Sequence, residues 1–184
     1  MEYIAQTLKD SGLVHGPRAS PTTQAVITNR INNVLVCCLA AQLREMGHSV
    51  STWECKDVVP LTLRPGMCLK YVVRHRDREH LLQGSCDYAL WYGYGDRFDE
   101  KTHRLGFNFV IYETKISNAS CGEPQCLGYM GIVHDVRRRA GMKGEAATVY
   151  GLSTDSFWFH FLRIDEHGKV SYRNCFPPGI LPLG

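Results

Sequence analysis

Apolar residues recur at steps of three and four from residue 22 onward. Val26, Ile27, Ile31, Val34, Leu35, Cys38, Leu39 and Leu43 follow a Ser/Thr-rich start and stop before Gly47. That spacing predicts a long amphipathic helix. The pattern then changes period. "HSVSTWECKDVVPLTL" and "MCLKYVVRHR" read as extended pieces around Pro60 and a Pro65-Gly66 turn, and "CDYALWYGY" as an aromatic strand. "LGFNFVIYETK" is the strongest strand of the chain. "EPQCLGYMGIVHDVRRRAG" returns to helical period, with Pro124 in the first turn, Leu127, Met130, Ile132 or Val133, and Val136 on one face, and Gly141 as the stop. "ATVYGLSTDSFWFHFLRIDEHGKVSYRN" then predicts two or three antiparallel strands with turns at "STDS" and "DEHG". Helix, strands, helix, strands is the order of an α/β domain whose sheet is covered by at least two helices.

Two boundaries follow. Residues 1–21, rich in Gly, Pro and Ser, read as an arm or linker, 22–174 as one domain, and 175–184 as a Pro-rich tail. That tail suggests one domain cut from a longer chain. A length of 184 residues with 44% hydrophobic types supports one sizeable core. The formal charge of +3 permits a nucleic-acid partner without demanding one. Eight cysteines are read as reduced core residues, because the start "MEYIAQTLKD" lacks the basic and apolar regions of a signal peptide. With no window of 18 apolar residues, no membrane contact is expected, and the location expected is intracellular, nucleus or cytoplasm. Cys121, Cys126 and His134 lack a fourth ligand at zinc spacing.

Candidate chemistry gathers around Asp87, Glu113 and Lys115. Glu113 and Lys115 share a strand face by alternation, and Asp87 lies in another strand-like segment. Two carboxylates on adjacent strands, with the Thr114 carbonyl, make an oxygen site that suits Mg²⁺ or Mn²⁺. Lys115 beside it would serve a water or a phosphate. Gln125 opens the following helix. An isolated E-x-K is more often a solvated ion pair, so its context carries the reading. Arg137, Arg138, Arg139 and Lys143 could grip a phosphate backbone, or cap a solvated helix end. Arg74, Arg76 and Arg78 alternate as one basic strand face would, and the "FWFHF" aromatics read as core and helix-covered strand positions before base-stacking ones.

The runs "GSCDYALWYG", "NFVIYETK", "QCLGYMGIVHDVRRRAG" and "TVYGLSTDSFWFHFLRID", in this order, resemble the PD-(D/E)XK nuclease-like domain found in many fungal proteins, over residues 25–170. The resemblance implies a restriction-endonuclease-like fold: a central mixed sheet flanked by helices, with a metal site at its edge. It implies Asp87 and Glu113 as metal ligands, Lys115 as the catalytic lysine, and Gln125 as a positioning residue. Cys86 replaces the motif proline. Many relatives add an acid from the first helix, for which Glu45 is the candidate, with Gln42 or Asn33 as occupants of the same place. The implied activity is metal-dependent hydrolysis of nucleic acid, DNA ahead of RNA. The alternative is an inactive nuclease-fold module that binds nucleic acid or a protein partner, for example as an effector.

Overall fold

The computed structural model describes residues 24–45, 61–92, 107–113, 122–156 and 158–175. The helical period after residue 22 is realised as α1, Gln24–Glu45. Its 22 residues give a rod of about 33 Å. Among the described residues, those of α1 that are fully buried lie in its first half. Ile27 and Ile31 are buried, Leu35 is partly buried beside them, and Cys38 is exposed.

The two extended pieces expected around Pro65-Gly66 form one strand, β1, Leu61–His75. Gly66 does not turn the chain back. It sits inside β1 at φ 64°, a kink that a residue with a Cβ would strain. The aromatic strand likewise begins earlier than expected, as β2, Arg78–Tyr92. The reversal falls at Arg76 and Asp77, with φ 47° and 61°. Two successive left-handed residues make the tight turn that matches strand twist. "RHRDRE" is therefore a hairpin tip and not one strand face.

β3, Phe107–Glu113, pairs antiparallel with β2 and parallel with β4, Val149–Thr154. The link between these parallel neighbours is α2, Glu123–Arg139, followed by a short 3₁₀ turn at Gly144–Ala146. Pro124 lies in its first turn as expected, and Gly141 ends it at φ 77°. β5, Phe159–Ile164, and β6, Val170–Cys175, continue the sheet antiparallel. β6 thus takes in Cys175, one residue beyond the domain boundary read from the sequence. The β5–β6 turn is closed by Asp165 Oδ1, which accepts from His167 N and Lys169 N at 2.9 Å each. The sheet order is β1-β2-β3-β4-β5-β6.

The two helices cover opposite faces. Gly151 lies under Met130 and Cys126 of α2, where a Cβ would collide with both sulfurs. Its neighbour Leu152 packs instead with Ile27, Ile31 and Tyr88. The larger cluster, under α2, joins Met67, Leu69, Cys86, Ala89, Val149, Leu162 and Ile164 of the sheet to Met130, Val133 and Val136. No helix among the described residues is long and apolar enough to cross a membrane.

Gly151→Ala should destabilise the fold by about 1–3 kcal/mol, since the added methyl has no room between strand and helix. Urea denaturation with unchanged m-value would show it. A second expectation concerns alkaline pH. Burial pushes the Cys86 thiol up to about 11 and the Cys126 thiol up to about 12, from an ordinary value of 9.0. The folded state holds these protons more tightly, so their contribution is full below pH 9 and is lost as pH rises towards 11–12. Cys86→Ala should flatten the fall in urea midpoint across that window.

Candidate active site

The ladder between β2 and β3 is short. It runs from Trp91↔Phe107 to Tyr88↔Ile111, with a register shift between Leu90 and Trp91. Both strands continue past its end with other partners. β2 stays paired to β1 as far as Arg78, and β3 stays paired to β4 as far as Glu113↔Thr154. The sheet therefore opens between β2 and β3 just below Tyr88. Asp87 is the first residue of one lip, and Tyr112 and Glu113 form the other.

Asp87 is also where strand alternation breaks. Cys86 and Tyr88 would share a face in a regular strand. Instead Cys86 belongs to the α2-side cluster and Tyr88 to the α1-side cluster. The break lies across from the Gly66 kink: Pro65 pairs with Tyr88 and Met67 with Cys86. A local turn-over of the chain sets half-buried Asp87 at the opening, so its direction does not follow from that of Cys86.

Both helices reach this place. From α1, Asn32 Oδ1 accepts the Tyr88 hydroxyl at 2.6 Å. From α2, Gln125 Nε2 donates to the Tyr129 hydroxyl at 2.7 Å, and that hydroxyl donates to the Ser85 carbonyl at 2.9 Å. Tyr129 can come so close only because residue 84 is glycine; a Cβ there would strike the phenol. The first turn of α2 is thus tied to β2 two residues from Asp87. At the same helix end, Glu123 Oε1 meets His160 Nδ1 at 2.7 Å. His160 in turn sits opposite buried Ser153 of β4.

The expected site residues divide accordingly. Asp87, the backbone position of Glu113 and the side chain of Gln125 lie around one opening of the sheet. Thr114 and Lys115 lie outside the described residues. Among the described residues, no three of His, Cys, Asp and Glu cluster to hold a metal.

Two expectations need correction. Glu45 is exposed at the last position of α1, thirteen residues beyond Asn32. At helical rise this is about 20 Å along the axis, too far to join Asp87 in one coordination shell. Glu45 is the only acid in α1, and Gln42 and Asn33 are both exposed, so this helix brings no carboxylate to the opening. Arg137 does not belong to the basic surface. It is 4% exposed, and its Nη1 donates to the Thr148 carbonyl at 2.6 Å, bracing α2 on the strand edge. Burial pushes its pKa down. Arg138, Arg139 and Lys143 are exposed, and Arg139 holds Asp135 at 2.9 Å. In "FWFHF", Phe159 packs towards α1, but Trp158 and Phe161 are 37% and 39% exposed.

Sequence reasoning missed Asn32 and Arg30. Arg30 is 5% exposed on the same face of α1 as Ile27 and Ile31, and burial pushes its pKa down. Its place in the i, i+3, i+4 stripe was the available signal. No protein-family model and no curated protein matches this chain.

Gly84→Ala should displace Tyr129 and break the Gln125–Tyr129–Ser85 connection, at a cost of about 1–3 kcal/mol. Tyr129→Phe keeps the shape, leaves the Ser85 carbonyl and the Gln125 amide without that hydroxyl, and should cost about 1 kcal/mol. Urea midpoints of both variants against the parent test the order.

Proposed function

We propose that this chain is a metal-dependent nuclease of the PD-(D/E)XK type, built on a restriction-endonuclease-like fold and acting on DNA in preference to RNA. The observation that carries the proposal is the parting of β2 and β3 at Asp87, with Glu113 on the facing lip and Gln125 of α2 tied beside it. The element order adds support: a helix, three antiparallel strands, a crossover helix and a parallel fourth strand.

The donor set suits a hard divalent cation: the carboxylates of Asp87 and Glu113 and the carbonyl of Thr114, all oxygen. Bound there, Mg²⁺ or Mn²⁺ would supply Lewis acidity and a water of lowered pKa. The protein's own part is positional and electrostatic. Asp87 and Glu113 would hold the cation across the opening. Lys115 offsets negative charge gathering on the phosphate oxygens or orients the water. Gln125, braced through Tyr129, positions substrate or water.

A second reading has one observation in its favour. The only acid of α1 lies about 20 Å from the opening along the helix, so the carboxylate that many relatives take from this helix is absent. In that reading the domain binds nucleic acid or a protein without cutting.

Plasmid DNA, single-stranded DNA and RNA, incubated with Mg²⁺, Mn²⁺ or EDTA, test the nuclease reading. The parent should cut only with metal, and Lys115→Ala and Glu113→Ala should each lose about 10²-fold or more in rate. Thermal melting separates the readings further. Saturating metal at about 100 times its Kd adds about 2.7 kcal/mol to the native state. No cutting and no metal-induced shift in a folded protein would favour the binding module.

A further inference from the structure

The hairpin of β1 and β2 reaches well beyond the rest of the sheet. From Lys70↔Gln83 to His75↔Arg78 the two strands pair with each other, while β3 leaves β2 at Tyr88. This ribbon, which has no further strand partner among the described residues, carries Lys70, Arg74, Arg76 and Arg78 against Asp77 and Glu79, all exposed. Arg74 meets Asp77 only at 3.7 Å, with side chains 72% and 97% exposed, a contact too solvated to occupy the guanidinium. Between the charges, Val72 and Leu81 stand opposite each other, 47% and 54% exposed. Lys70↔Gln83 and Arg74↔Glu79 flank them on the same ribbon face.

The base of the ribbon is held in a fixed direction. The Tyr71 hydroxyl donates to Asp135 Oδ2 of α2 at 3.0 Å, and the Arg139 guanidinium lies 5.5 Å from the Tyr71 ring centroid. Arg139 also pairs with Asp135. The basic end of α2, with Arg138, Arg139 and Lys143, therefore flanks the root of the basic ribbon.

We propose that residues 70–83 form a duplex-DNA-binding arm that enters the major groove, with Arg74, Arg76 and Arg78 on the phosphates. Charge and shape both favour this occupant. A two-stranded ribbon fits the B-form major groove, about 12 Å wide, whereas the A-form RNA major groove is too deep and narrow. Each strand half of the arm spans about 20 Å, enough to lie along several base pairs. Val72 and Leu81 supply apolar contact of the kind thymine methyl groups accept, and Gln83 can bond a base edge. An arm that served only solubility would gain nothing from two exposed aliphatic side chains set face to face. This binding is independent of phosphodiester cleavage and is tested without divalent metal, so failure of one leaves the other standing.

The test is fluorescence anisotropy in EDTA with a labelled DNA duplex, an RNA duplex of the same sequence and the DNA single strand, across a salt series. The parent should bind the DNA duplex more tightly than either competitor. The pair Arg76→Glu and Arg78→Glu should weaken binding at least tenfold and reduce the salt slope by about 2. Leu81→Ala should weaken binding with the slope unchanged. Arg173→Glu, an exposed arginine on β6 at the opposite sheet edge, should bind as the parent. Circular dichroism melts at the parent temperature would exclude unfolding as the cause. Absence of duplex binding at low salt, equal binding of DNA and RNA duplexes, or full binding by the double arm variant would overturn the proposal.

Discussion

Two parallel neighbouring strands cannot be joined by a tight turn, and this chain places such a pair, β3 and β4, at the centre of its sheet. The crossover has to climb over one face, and α2 is that crossover. Its packing requires small residues where it comes closest, which explains Gly151 under Met130 and Gly84 under Tyr129. The first turn of α2 lies beside the place where β2 and β3 part. The tie from Gln125 through Tyr129 to Ser85 holds it there.

The polar groups buried along this route serve different ends. Arg137 is satisfied by the Thr148 carbonyl and anchors the exit of α2 to the start of β4. The end of β4 is different: Ser153, Thr154 and Ser156 are all buried beside the parting strands, and Thr154 Oγ1 accepts from Ser156 N at 3.0 Å. A chain selected for stability alone would place apolar residues there, since each buried hydroxyl needs a partner to avoid a desolvation cost. Under the proposed nuclease reading, this polar end of β4 lies beside Glu113, with which Thr154 pairs.

Much of the fold was legible in the sequence, for local reasons. α2 carried its own punctuation in Pro124 and Gly141, and β4 to β6 were separated by turns whose Asp residues bond the backbone. The β1–β2 hairpin was not legible, because its turn residues are Arg76 and Asp77 without a glycine, while the visible Pro65-Gly66 pair kinks a strand instead of ending it. In the candidate site, residue types pointed to Asp87 and Gln125, but distance along a helix did not show. Glu45 has the right chemistry at the wrong end of α1. Arg137 hid in a run of three arginines, although Cys126, Met130, Val133 and Arg137 follow the buried helical phase. The turn-over at Asp87 was beyond sequence reasoning, since it depends on a kink in the neighbouring strand.

β2 connects the proposed site and the proposed DNA-binding arm. The same extended chain holds Asp87 at the parting of the sheet and Arg78 at the arm's tip, with no loop between them. Nine residues of strand set these about 30 Å apart. Hydrogen bonding to β1 along this length keeps that spacing from varying as a flexible linker would allow. Duplex held by the arm would therefore meet the opening at a fixed offset, set by strand length and by the Tyr71–Asp135 contact at the root. Under both proposals, registration of a duplex against the opening is then set by one β-ribbon of fixed length.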